Sequence, residues 1–138
     1  MNRLSAYRIL CGFVGALFVL SGIGFVVSFL RSLASSEPMS GPIPLDAGGA
    51  YFLAFTGCAL VGWGGSLLGA ARQPHAHRAV GIATACALVL MAAYRIAAWF
   101  SGDYAFLGNI LRVEAGGMLL FAAAFVWLRP PVAGVKRD

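Results

Sequence analysis

Apolar residues along this chain collect in four long segments, 9–30, 48–71, 79–100 and 105–128, separated by short polar stretches. Each segment is 22 to 24 residues long. At about 1.5 Å rise per residue a helix of that length reaches roughly 33–36 Å, enough to cross a hydrocarbon core of about 30 Å. A backbone in lipid must satisfy its own amides and carbonyls, so a span is either a helix or part of a closed barrel. Barrel strands are shorter and alternate in polarity, and no segment here alternates. The pattern therefore predicts an all-α membrane protein, an antiparallel four-helix transmembrane bundle forming one domain over residues 1–138.

The connecting stretches differ in character. Residues 31–47 contain Pro38, Pro42 and Pro44 among several serines, which predicts an irregular surface loop. Residues 72–78 and 101–104 read as tight turns that make consecutive helices neighbours. Basic residues flanking the spans set the orientation. Arg3, Arg8, Arg72, Arg78, Arg129, Lys136 and Arg137 fall on one side with His75 and His77; Arg31, Glu37, Asp46 and Asp103 fall on the other. This asymmetry places both termini in the cytoplasm. Tyr7, Tyr51, Trp99, Tyr104 and Trp127 lie near the span ends, where amphipathic rings meet headgroups. Small residues crowd the first two spans: Gly12, Gly15, Ser21, Gly22 and Gly24, then Gly62, Gly64, Gly65 and Gly69, the last two forming a G-x-x-x-G pair. They predict close helix contacts.

Composition agrees with a lipid-facing chain. Of its residues 60% are apolar and 11% charged, outside the soluble globular range. The net charge of +5 comes from residues beside the apolar runs, not from a basic stripe, which argues against nucleic-acid binding. Cys11, Cys58 and Cys86 lack C-x-x-C spacing and are expected to pack as small hydrophobes. His75 and His77 stand two apart with no cysteine or acidic ligands beside them, a poor metal site, and no histidine lies in a span to ligate a haem. The basic Met1–Arg8 stretch before a long apolar run resembles a secretory leader, but the run is about twice an ordinary leader's apolar length and is expected to remain as the first span. Ser21, Ser28, Thr56 and Thr84 are expected to bond to carbonyls in their own helices.

Three ionisable residues fall inside the spans: Arg95 in the third, Arg112 and Glu114 in the fourth. Charge at membrane depth is costly and points to a function or a partner. Measured from the outer boundary by helical rise, Arg95 lies about 7 Å deep, Arg112 about 10 Å and Glu114 about 13 Å. A short turn between these spans brings Arg95 and Glu114 to similar depth, so an ion pair is expected. Arg112 and Glu114 are separated by about 200° of rotation and should not share a face. Asn109, one turn before Arg112, and Tyr94, beside Arg95, offer further hydrogen-bonding groups. Arg95, Arg112, Glu114, Asn109 and Tyr94 thus form the candidate polar cluster. It is read either as a structural clamp or as the polar end of a cavity for a quinone, a lipid or a small hydrophobic anion.

The layout resembles the small bacterial four-helix membrane proteins of the DoxX-like and BphX-like group. The resemblance rests on Phe55, Gly57, Leu60 and Gly64 in the second span, Arg95 near the end of the third, Gly102 in the turn and Glu114 in the fourth. It implies a place in the bacterial inner membrane, and some relatives belong to quinone-linked or other membrane complexes. Small multidrug exporters depend on an acidic residue in the first span, and quinone-linked disulfide-forming enzymes on paired cysteines; this chain has neither. With no nucleophile and base pair legible, a non-catalytic accessory or assembly subunit is favoured over an enzyme. Its expected partners are membrane lipids, other membrane subunits or further copies of itself, with no cofactor indicated beyond a quinone or lipid. The charge asymmetry yields a direct test: in intact cells an impermeant thiol reagent should leave Arg137→Cys unmodified, and modification from outside would reverse the assignment of sides.

Overall fold

A computed structural model describes residues 2–34, 47–102 and 107–131. The prolines of the first loop lie outside these residues, as do Glu37, Asp46, Asp103, Tyr104, Lys136 and Arg137. The described chain contains four α-helices: α1 (Arg3–Ala34), α2 (Ala47–Arg72), α3 (Arg78–Ser101) and α4 (Ile110–Leu128). All four are long and apolar enough to cross a membrane.

Local chemistry explains the helix ends. Pro130 disfavours helical backbone in the residue before it, and Arg129 accordingly leaves α4 with φ −49° and ψ 137°. Gly102 closes α3 in the left-handed region at φ 78°, and Gly108, at φ 55°, precedes α4. Both conformations are natural to glycine and strained for other residues. α4 thus begins at Ile110, after Gly108, where a span from residue 105 was expected, and is 19 residues long. Between α2 and α3 the turn holds itself through the His77 amide, which donates to the Gln73 carbonyl at 3.1 Å.

The chain divides into two compact units, Cys11–Gly69 and Met1–Leu10 with Ala70–Asp138. In the first, α1 and α2 meet through glycine. A Cβ built on Gly64 would stand 2.6 Å from the Gly15 carbonyl oxygen, and one on Gly57 would stand 2.7 Å from that of Gly22. Reciprocally, a Cβ on Gly15 or Gly22 would meet the Gly64 or Gly57 carbonyl. Any side chain at these positions would push the backbones apart. The contact is therefore made by two seven-residue glycine pairs, and Phe18 and Trp63 close it edge to face at 5.8 Å. Gly62, Gly65 and Gly69 have nothing within 4 Å where a side chain would project. The G-x-x-x-G pair, the more recognisable pattern, is thus not the one used, because Gly65 and Gly69 lie on a different face from Gly57 and Gly64.

In the second unit α3 packs on α4. Gly81, Thr84, Ala85, Leu88 and Ala92 form the buried stripe of α3, and Leu111, Ala115, Ala122 and Phe125 that of α4. Both stripes follow three- and four-residue helical spacing. Thr84, in the middle, keeps its hydroxyl satisfied by donating to the Val80 carbonyl at 2.8 Å, and Thr56 does the same to Phe52 in α2. Tyr7 is fully buried, edge-on to Phe125 at 6.3 Å, with its hydroxyl end against the bare face of Gly81. It therefore belongs to the core, not to a boundary belt; a residue without a Cβ at 81 provides the room. Outside these stripes, large apolar side chains such as Phe100, Val113, Leu120 and Trp127 are more than two-thirds exposed. Small residues inside and large apolar ones outside is the arrangement of a protein whose solvent is hydrocarbon.

Gly22→Ile or Gly57→Ile should lower unfolding free energy in detergent by about 1–3 kcal/mol through overpacking. Gly65→Ala should leave it unchanged or raise it by up to about 1 kcal/mol through helix propensity. Thermal unfolding followed by circular dichroism checks both.

Candidate functional site

Arg95 extends from the last two turns of α3, and its guanidinium is ion-paired with the Glu114 carboxylate on α4. The pair is not enclosed: the Arg95 side chain is 31% exposed and that of Glu114 43%. Because α4 begins at Ile110, Glu114 is its fifth residue and Arg112 its third. Both lie closer to the helix end than the sequence implied, Arg112 only about 3 Å and Glu114 about 6 Å along the axis.

Arg112 occupies an unfavourable position by itself, since a cation in the first turn opposes the helix dipole. Two neighbours offset this. Asn109 sits where a capping side chain would normally accept from the helix amides, yet it makes no such bond. Its Oδ1 instead accepts from the Arg112 guanidinium. The guanidinium carbon also lies 4.8 Å from the centre of the Trp99 ring on α3, within range for a cation–π contact. Backbone bonding of α4 still starts at this residue, with the Val113 amide donating to the Asn109 carbonyl at 3.1 Å.

Trp99 and Arg95 are four residues apart and so share one face of α3. Consequently Glu114 and Arg112 both reach that face, although rotation about α4 separates their backbone positions. The length of the arginine side chain, starting in the first turn, allows it to fold back. Four of the five expected residues are therefore placed in two adjoining groups, Arg95 with Glu114 and Arg112 with Asn109. Tyr94 is 69% exposed and lies on neither. Trp99 was legible only as a boundary aromatic; its position four residues beyond Arg95 is the pattern that links it to the cluster.

Chemically the cluster is a set of compensated charges: one cation faces one anion, and the other faces a carbonyl oxygen and an aromatic ring. Among the described residues no group of three or more histidine, cysteine, aspartate or glutamate side chains is arranged to hold a metal ion. Cys11 is buried and Cys58 and Cys86 are exposed, none of them in a disulfide. The class that fold and site define is an all-helical protein with four helices capable of spanning a membrane. Comparison with protein-family models, with curated proteins and with solved structures returns no match.

Glu114→Gln should lower stability in detergent by on the order of 1 kcal/mol, as for a partly exposed pair. The charge-swapped Arg95→Glu, Glu114→Arg protein should regain at least half of that loss. A swap no more stable than the two single changes combined would show that the ion pair contributes no coupling.

Proposed function

We propose that this protein is a non-catalytic integral membrane component, an accessory or assembly subunit of a larger complex in the bacterial inner membrane. In this reading the four helices form an antiparallel bundle with both termini cytoplasmic. The basic residues gathered at one set of helix ends support that orientation, and the DoxX-like layout of Phe55, Gly57, Gly64, Arg95, Gly102 and Glu114 supports the setting.

One observation carries the choice of role: the charges at the candidate site are partnered from within the chain. Arg95 has Glu114, and Arg112 has Asn109 and Trp99. A site built to take an anion holds a cation in reserve, whereas here an incoming anion must compete with a carboxylate already in place. The cluster accordingly serves to join α3 to α4 at a fixed register, a task for which a specific polar pair is better suited than apolar packing. The large apolar side chains on the outer faces remain free to meet lipid or the helices of other subunits.

Gentle detergent extraction followed by mass analysis tests this directly. The expected result is co-purification of other membrane polypeptides in fixed ratio, retained in Glu114→Gln. Purification of the chain alone, carrying a quinone or an organic anion that Glu114→Gln or Arg95→Gln loses, would favour ligand handling at the cluster instead.

A further inference from the structure

The other end of the α3–α4 unit shows the opposite electrostatic condition. A cavity of about 1520 Å³ opens there, larger than the roughly 300–1,000 Å³ of pockets for drug-sized molecules. Its polar lining is Asn2 and Arg3 at the start of α1, His75 in the turn before α3, Arg78 at the first position of α3, and Arg129 just after α4. Among the described residues no carboxylate lines it. Beyond this basic end the wall is apolar, formed by Ala85, Val89 and Leu90 on α3 and by Leu119, Ala123 and Val126 on α4.

From this arrangement we infer that the cavity binds an acidic phospholipid, with its phosphate among Arg3, Arg78 and Arg129 and an acyl chain along the α3–α4 wall. Charge is the first argument. Arg3, Arg78 and Arg129 line one cavity with no acid among its described lining residues, and the Arg78 Nε is buried with no acceptor among the described residues. Guanidinium forks match phosphate oxygens, and a buried donor left without an acceptor is costly. The first turn of α3, whose capping position His77 makes no side-chain bond, adds amides that favour an anion at the same place.

Length is the second argument. Arg78 and Val89 are separated by eleven residues of α3, about 16 Å of helix, and Leu119 and Arg129 by ten residues, about 15 Å. Both distances match one leaflet, half of a hydrocarbon core of about 30 Å. A free phosphate ion would use only the basic end and leave that wall unoccupied. The wall is also open sideways: Leu90 and Trp127 are each more than 70% exposed, so a chain can enter from the surrounding lipid. Arg3 lies over the Trp127 ring at 5.8 Å, joining the charged end to the apolar wall.

The site is independent of the Arg95–Glu114 cluster and of the accessory-subunit role. Its test uses the full chain, delipidated in neutral detergent, with lipid retention read by native mass spectrometry. Dioleoyl phosphatidylglycerol should be retained about tenfold more strongly than dioleoyl phosphatidylcholine. The double change Arg78→Gln, Arg129→Gln should reduce retention to the phosphatidylcholine level, whereas Arg72→Gln, which removes the same kind of charge outside the cavity, should not. Ala123→Trp, which fills the apolar wall and alters no charge, should also weaken retention. Equal retention of the two lipids by the unmodified protein overturns the proposal without recourse to any variant. Unchanged binding in the double variant overturns the site, and full displacement of the lipid by millimolar inorganic phosphate shows a free-anion site instead.

Discussion

A peptide group taken into hydrocarbon without a hydrogen-bond partner costs several kcal/mol, and every long segment of this chain meets that constraint by closing its backbone bonds within one helix. The remaining features follow from it. Since lipid is as apolar as leucine, the helices gain nothing by hiding large side chains from it, and contact between them has to come from close fit and local polar bonds. Glycine supplies the fit in one unit, where Gly15, Gly22, Gly57 and Gly64 bring α1 and α2 backbone to backbone. Alanine, a buried threonine and the Tyr7–Phe125 contact supply it in the other.

Charge is managed by the same logic. At the Gly102 end, α3 and α4 carry two cations and one anion, and each is matched locally: carboxylate to guanidinium, guanidinium to amide oxygen and indole ring. At the Arg78 end the described residues offer cations without an anion around a cavity with an apolar wall. One end is complete in itself; the other is complementary to a negatively charged amphiphile. The difference lies in which helix termini contribute the acids and bases: among the described residues the carboxylate beside a neighbouring helix is that of Glu114 on α4.

Much of the helix count was legible because apolar runs longer than 20 residues admit few alternatives, and the Arg95–Glu114 pairing was legible because a short connection forces similar depth on two neighbouring helices. The beginning of α4 was not. Leu107 is apolar and reads as part of a span, but Gly108 adopts a left-handed conformation just before Ile110, and a composition count is blind to backbone angle. The glycine seam was half legible: the residues stood out by type, while the choice of Gly57 and Gly64 over Gly65 and Gly69 depends on which face of α2 meets α1.

Sequence alone determined the all-helical class, the four long apolar helices, the asymmetry of basic residues and the pairing of Arg95 with Glu114, because these depend on composition and on distance along the chain. Tertiary structure decided the rest. It took Tyr7 from an expected boundary position into the core, where Gly81 leaves space; it folded Arg112 back onto Trp99; and it gathered Arg3, His75, Arg78 and Arg129, far apart in the chain, around one cavity. Those outcomes depend on rotation about helix axes and on contacts between distant segments, neither of which is written in the order of residues one by one.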